Sequence, residues 1–259
     1  LYWCGPGVIC HGYDQAAVDA AADDLIGFVA AKETEFAQPL LDPDTSVREA
    51  MTIAARATKP VVIADTQDNP GCGGTGDTTG MLEALVRNKA RKAALCVLTD
   101  PAAAKAAHAA GKGAEITIDL GGCVPYPGVK PFRGTFKVTN LSDGRFVCTG
   151  ICVNGREASL GPTALLTIGG EDGVSVVVAS KRMQAYDPDI FRHIGVEPTQ
   201  QQILVLKSTC HFRGEFEPMA EAVIVVLAPG GYGADPALYP YKRLRPGVRL
   251  RPLGPDRVA

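Results

Sequence analysis

No stretch of this sequence stays apolar for the roughly 18 residues that a membrane-spanning helix requires. The longest candidate, AEAVIVVLAPG near 220–230, has the length of a buried strand. No basic start followed by an apolar middle marks a signal peptide. Net charge is nearly absent: 26 Lys and Arg against 28 Asp and Glu leave −2, so neither nucleic acid nor an anionic membrane is indicated as a partner. The eight cysteines, at 4, 10, 72, 96, 123, 148, 152 and 210, contain no CxxC pair and sit mostly inside apolar runs. In a chain of this size that predicts reduced, buried thiols in a cytoplasmic protein rather than a disulfide framework. Four histidines are present, but no HxH, HExxH or carboxylate–histidine cluster at ligand spacing, so the chain by itself shows no complete metal site. There is no internal repeat. There is no initiator Met either: LYWCGPGVICHGYD opens on apolar residues and runs into a helix, which predicts the tail of a domain from a longer protein.

What is present is an ordinary globular balance, 46% apolar and 21% charged over 259 residues, with room for one large domain or two small ones. Residues 14–36 read as a helix with Asp14 as N-cap and Val18, Ala21, Ala22, Leu25, Phe28 and Val29 at helical spacing. QPLLDPD (38–44) reads as a linker. Ser46-x-x-Glu49 has capping-box spacing and predicts a helix from 46 to about 57. Strand 61–65, a glycine loop, helix 78–91 and strand 94–99 follow. Asp100-Pro101 starts a helix that Gly111 ends, and EITIDL (115–120) alternates as a strand. Together these predict an α/β fold with a mostly parallel sheet and flanking helices in the first half. After 120, short β runs separated by SDG, NG and GGEDG predict an antiparallel meander or partial barrel in the second half. A short helix is expected at 187–195 and strands at QQILVLKS and AEAVIVVLAP. The basic, proline-rich end, YPYKRLRPGVRLRPLGPD, is expected to wrap the surface.

The loop after Val61–Asp65 reads TQDNPGCGGTGDTTG and contains a literal GxGxxG, Gly71 to Gly76. A dinucleotide turn would place its first glycine at the strand end, whereas Thr66 to Pro70 intervene here, and Asp100 already has work as an N-cap. A Walker A loop is excluded, because no Gly-Lys-Ser/Thr occurs. Glycine N–H groups before a helix favour an anion. Either the loop's own Asp77 supplies it as N-cap, ahead of Thr78 and Thr79, or Gly73, Gly74, Asp77 and Thr78 meet a ligand. Asp65, Asp68 and Asn69 stand where open α/β sheets bind ligands, at the carboxyl end of a strand. The second constellation is LKSTCHFRGEF (206–216). Lys207, His211 and Arg213 form a candidate clamp for an anion or carbonyl; otherwise the segment is a solvated basic turn. Cys210 and His211 suggest a cysteine hydrolase, but neighbours on an extended chain point to opposite faces. His11, His108 and His193 have ordinary structural readings.

ADTQDNPGCGGTGDTT (64–79), LKSTCHFRGEF (206–216) and YPYKRLRP (239–246), with DPAAAKAAHAAGKGAEITIDLGG and DIFRHIGVEP, together resemble the C-terminal domain of the MlrC family of microcystin-degrading metallopeptidases. The resemblance runs from about residue 5 to the end. It implies a zinc-dependent hydrolase of small linear peptides or related amides. It further implies that residues 1–37 are the tail of an N-terminal domain that carries the zinc ligands and is missing here, and that 38–259 form the C-terminal α/β domain. Carried onto this chain are Asp68 and Asn69 from the loop, and Lys207, His211 and Arg213 from the second block. On this reading Asp68, Asn69 and His211 are catalytic; Asp65, Gly73, Gly74, Asp77, Thr78, Lys207 and Arg213 bind substrate; and no metal ligand lies in the chain. A homo-oligomer is compatible with it. The alternative is a non-catalytic module that binds a small anion or nucleotide through Gly-rich loop 71–76.

Overall fold

The computed structural model describes residues 2, 5–37 and 39–255. Cys4, Leu1 and Trp3 of the opening stretch, Gln38 of the expected linker, and residues 256–259 lie outside the described residues. The chain forms two compact units, one of residues 1–39 with 235–259 and one of residues 40–234.

In the first unit, helices α1 (Gln15–Ala31) and α2 (Glu33–Phe36) replace the single expected helix, with Lys32 between them. Asp14 is the N-cap, its Oδ1 accepting from the Ala17 amide at 2.8 Å. The apolar positions chosen by helical spacing are not buried; no α1 residue is. Residues 239–255 form no helix or strand. They are pinned by charge, Arg249 to Glu33 at 2.7 Å and Arg251 to Asp235.

The second unit is one eight-stranded sheet with helices on it. In chain order it contains α3 (Pro43–Ala54), β1 (Val61–Asp65), α4 (Gly80–Arg87), β2 (Ala93–Thr99), α5 (Pro101–Ala110), β3 (Glu115–Leu120), β4 (Phe132–Ser142), β5 (Arg145–Val147) and β6 (Glu157–Ser159). It continues with β7 (Thr163–Ile168), β8 (Val174–Ala179), α6 (Asp189–Arg192), β9 (Ile203–Leu206), α7 (Arg213–Phe216) and β10 (Ala222–Val226). The order is β10-β1-β9-β2-β8-β7-β4-β3, and β5 and β6 form a separate ribbon. Pairings from β10 through β8 are parallel; those from β8 through β3 are antiparallel. The class is the expected α/β with a mostly parallel sheet. The strands are dealt differently along the chain, however. Three of the five parallel strands, β8, β9 and β10, come from the second half, and β3 lies at the far antiparallel edge. No separate barrel forms among the described residues.

Strand alternation explains the two cores. Val61 and Ile63 of β1, Ile203 and Val205 of β9, and Ala93 and Leu95 of β2 face α3, α4 and α5. Val62 and Ala64, Leu204 and Leu206, and Ala94 and Cys96 face the opposite way, toward Ile190, Phe191, Phe212 and Phe216. A strand buried on both faces reads as a continuous apolar run, which is why VVIA and ILVL carry no alternation.

One helix start differs from expectation. Asp42, not Ser46, caps α3, accepting from the Thr45 amide at 3.0 Å with Pro43 in the first turn. Ser46 is buried inside the helix and its hydroxyl donates to the Pro43 carbonyl. Nor is the preceding segment a free linker, since Leu41 bridges to Val226 beside β10.

Candidate functional site

The parallel register of β1 and β9 builds the centre. Val61 lies beside Ile203 and Ile63 beside Val205. Two residues further on, past the last paired position, the same spacing brings Asp65 level with Lys207 on one face of the sheet. Both side chains are fully buried. The Lys207 ammonium donates to Asp65 Oδ2 at 2.9 Å and Asp68 Oδ2 at 2.7 Å. It also reaches the Thr78 carbonyl at 2.9 Å and Thr78 Oγ1 at 3.0 Å. Three ammonium hydrogens facing four acceptors leave it nothing for an outside anion. This corrects the expected role of Lys207 as part of a substrate clamp: it ties two loops together.

Electrostatics separates the two carboxylates. Burial pushes Asp65 above the usual carboxylate range; Lys207 opposes this and the Asp68 charge adds to it. Asp68 is also pushed up by burial, but the Lys207 charge and hydrogen bond, with the amides of Thr78 and Gly76, outweigh that and hold it low. For Lys207, burial favours the neutral form, and the two carboxylates overcome it to raise the pKa. Asp65 Oδ1 has no hydrogen-bond partner among the described residues.

The glycine loop holds its own carboxylate. Asp68 Oδ1 accepts from the Gly76 amide at 2.8 Å, and Oδ2 from the Thr78 amide at 2.9 Å. The amides of Cys72, Gly73 and Gly74 go to the carbonyls of Asn69 and Pro70, and that of Gly71 goes to Asn69 Oδ1 at 2.8 Å. With these N–H groups used internally, the alternative of an anion or nucleotide cradled by residues 71–76 loses its basis. Gly73 and Gly76 have φ of +91° and +73°, and a Cβ on Gly74 would stand 2.7 Å from the Asn69 amide nitrogen. The glycines therefore serve a geometry that only they adopt. Asp77, expected to cap the next helix, does not. It accepts from Thr75 Oγ1 and from the Val124 amide, while Thr79 stands at the N-cap of α4 without a side-chain cap bond. Asp100 does cap α5, accepting from the Ala103 amide at 2.9 Å, and takes the Gly121 amide as well.

Around this buried knot lies a more open polar group. Asn69 Nδ2 donates to Thr209 Oγ1 at 2.8 Å and to Cys72 Sγ at 3.3 Å, so the amide of Asn69 is committed to joining the two loops. Gln184, in the segment after β8, has Nε2 2.8 Å from Ser208 Oγ and 3.2 Å from His211 Nδ1. Cys210 Sγ lies 3.8 Å from the same Nδ1. Cys210 and His211 do not diverge as expected, because the chain turns after β9 instead of running extended. Arg213 stands apart, in α7, paired with Glu217 at 3.0 Å on the surface. The structure thus brings Asp65, Asp68, Thr78 and Lys207 into one buried cluster and Asn69 and His211 into the group beside it. Gly73 and Gly74 shape the loop, and Asp77 and Arg213 have other partners. Gln184 and Thr209 were not singled out from the sequence. The rule that ligands gather at the carboxyl ends of parallel strands reaches Gln184 only once β8 is known to be parallel to β2.

The residues do not fit a metal. Among the described residues, no group of three or more His, Cys, Asp or Glu side chains could hold one, and the buried carboxylate pair already has the Lys207 ammonium as its cation. Two of the other histidines have structural contacts: His108 Nε2 meets the Thr163 carbonyl, and His193 has Nδ1 3.1 Å from the Asp189 carbonyl and stacks on Phe146 with centroids 4.9 Å apart. The described cysteines are free, as expected, but not mostly buried. Cys72, Cys123, Cys152 and Cys210 are exposed, and only Cys96 and Cys148 are buried, because most of these thiols lie in turns rather than in the strands suggested by their apolar neighbours. Among the described residues no helix is long and apolar enough to cross a membrane.

Comparison with known proteins bears on the same segments. The family described as MlrC C-terminus matches residues 63–243. Microcystinase C from Sphingomonas sp is 31% identical over 185 residues, which is 71% of this chain and 35% of that protein. The crystal structure of a protein described as a metallopeptidase from Mesorhizobium sp. BNC1 has a TM-score of 0.71 at 28% identity, covering 89% of this chain and 45% of that one. The chain thus spans less than half the length of either relative. The matched residues run from β1 through the glycine loop and the 206–216 block, and on them this chain belongs to the MlrC family as its C-terminal domain.

Proposed function

We propose that this chain is the substrate-side part of a peptidase-type hydrolase acting on small linear peptides or related amides. In this reading residues 1–37 close a preceding domain, residues 38–259 are the MlrC-like domain, and zinc is held by the part of the relatives that this chain does not span. The observation that carries the proposal is the buried Asp65–Lys207–Asp68 knot. It locks the two loops singled out by the resemblance to each other, with Lys207 2.7 Å from Asp68. Rigid loops at the carboxyl edge of a parallel sheet are where orienting groups belong, since a displaced group forfeits the benefit of proximity. His211 is the exposed polar group of the second block, and its task is to meet a substrate carbonyl or carboxylate. Asp68 and Asn69 act through geometry, by holding the loop and the Thr209 hydroxyl, and no step is routed through a metal in this chain.

The test compares this 259-residue chain with one extended to the length of its relatives. The extended chain should retain zinc through dialysis against a mild chelator and cleave short linear peptides; this chain should do neither. His211→Ala in the extended chain should lower kcat/KM roughly 100- to 1,000-fold, the usual cost of one positioned donor. Stoichiometric zinc and hydrolysis in this chain alone, or full activity without His211, would overturn the proposal.

A further inference from the structure

We infer that Gln184 is a positioning residue whose side-chain amide, seated against Gly71, fixes the neutral His211 ring with its proton on Nε2. His211 then offers an N–H to an acceptor instead of a lone pair to a proton or a cation. The inference rests on the reading above that His211 meets substrate, and it narrows the group recognised to a carbonyl or carboxylate oxygen.

An amide nitrogen carries two hydrogens and accepts none. Gln184 Nε2 has Ser208 Oγ at 2.8 Å and His211 Nδ1 at 3.2 Å, so both hydrogens have acceptors when Nδ1 keeps its lone pair. A neutral imidazole with an accepting Nδ1 carries its proton on Nε2. The second neighbour of Nδ1, Cys210 Sγ at 3.8 Å, is a weak thiol donor and favours the same tautomer.

The amide is held from behind by a glycine. A Cβ on Gly71 would lie 2.1 Å from Gln184 Oε1 and 2.8 Å from Cδ. Any larger residue at 71 therefore drives the amide off its seat. Gly71 does not have a positive φ, so its need is for space rather than conformation. This links the first glycine of the loop to the histidine of the second block through one side chain, with Gly71 and Gln184 standing 113 positions apart in the sequence. Ser208 also fixes the amide from the side, because its hydroxyl can serve as acceptor while it follows the fully buried Lys207.

The experiment is two-bond ¹H–¹⁵N correlation of the histidine rings in the full 259-residue chain, at a pH where His211 is neutral. Wild type should show Nδ1 bare and Nε2 protonated. Gln184→Ala, and Gly71→Ala with Gln184 intact, should both move the His211 nitrogens toward the averaged shifts of two exchanging tautomers. Gln184→Glu, whose carboxylate can only accept, should move the proton to Nδ1. His108 and His193 serve as internal controls for the fold. A wild-type His211 protonated on Nδ1 would overturn the inference. So would His211 shifts unmoved by Gln184→Ala and Gln184→Glu while the controls stay native. If one variant disturbs the controls, the remaining variants decide. None of these readouts depends on hydrolysis, so failure of the functional reading would leave this result standing and the reverse holds too.

Discussion

Replacing Lys207 by Met is the sharpest perturbation of this fold. The methionine keeps nearly the length and volume of the lysine stem, so the change is mostly one of charge. It removes the shared partner of Asp65 and Asp68, held at 2.9 and 2.7 Å in a site with no exposure. Two carboxylates would then face each other without a cation, and the Thr78 carbonyl would lose its donor. Breaking a buried ion pair by deleting one partner typically costs about 3–5 kcal/mol. In a unit of this size each kcal/mol lowers Tm by roughly 2–4 °C, so Lys207→Met should melt roughly 6–20 °C lower. Part of the cost will be relieved by protonation of Asp65, whose pKa burial already raises, so the loss should be smaller at pH 5 than at pH 8. Adding Asp65→Asn to Lys207→Met should recover part of the stability, because it removes one of the two bare charges while both Asp68 oxygens keep the Gly76 and Thr78 amides. Calorimetric melts of the three proteins at both pH values test this. If Lys207→Met melts within about 2 °C of wild type at pH 8, or the double variant is worse than the single, the knot is not what holds these loops.

Three further outcomes follow from described geometry. Asp68 is ionised more easily in the fold than in the unfolded chain, so the unfolded state binds the proton first and its stabilisation is lost as pH falls below about 3.8; the Tm advantage of wild type over Asp68→Asn should shrink there, and an advantage that grows on acidification refutes the sign. Gly74→Ala should cost about 1–3 kcal/mol through overpacking against the Asn69 backbone, and denaturant melts that show no loss would contradict the 2.7 Å approach. Alkylation of the native chain with peptide mapping should label Cys72, Cys152 and Cys210 well before Cys96 and Cys148, with Cys123 slower than its exposure suggests because burial and the Asp100 and Asp77 charges push its thiol up to about 11; rapid labelling of Cys96 would contradict its burial.

Local signals in the sequence were legible where one residue acts on its near neighbours. Asp100-Pro101 and Gly111 bound α5 as read, and Asp14 caps α1. Ser46-x-x-Glu49 misled because Asp42-Pro43, four residues earlier, is the stronger start and places Ser46 inside the helix. That the 65–78 loop and the 206–216 block concentrate polar groups was also legible, from the acids at a strand end and the dense polar run. Their internal chemistry was not. Lys207 and Asp65 are 142 residues apart, and only the parallel register of β1 and β9 reveals that the lysine is spent on its own fold. The two-sided burial of those strands hides their register, because an apolar run without alternation fits any face. Gln184 was invisible for the same reason: nothing local distinguishes it from a surface glutamine.

The placement of β9 between β1 and β2 also sets a timetable for synthesis. β1 and β2 do not pair with each other; each pairs with β9, whose first residue is Ile203. At about 5–20 residues per second, a ribosome takes roughly 5–20 s to go from the end of β2 to β9. Through that interval the nascent chain carries two apolar strands with the slot between them open, a template for wrong partners. The last strand to enter the centre is also the one that delivers Lys207, so the sheet closes and the carboxylates gain their cation in a single late event.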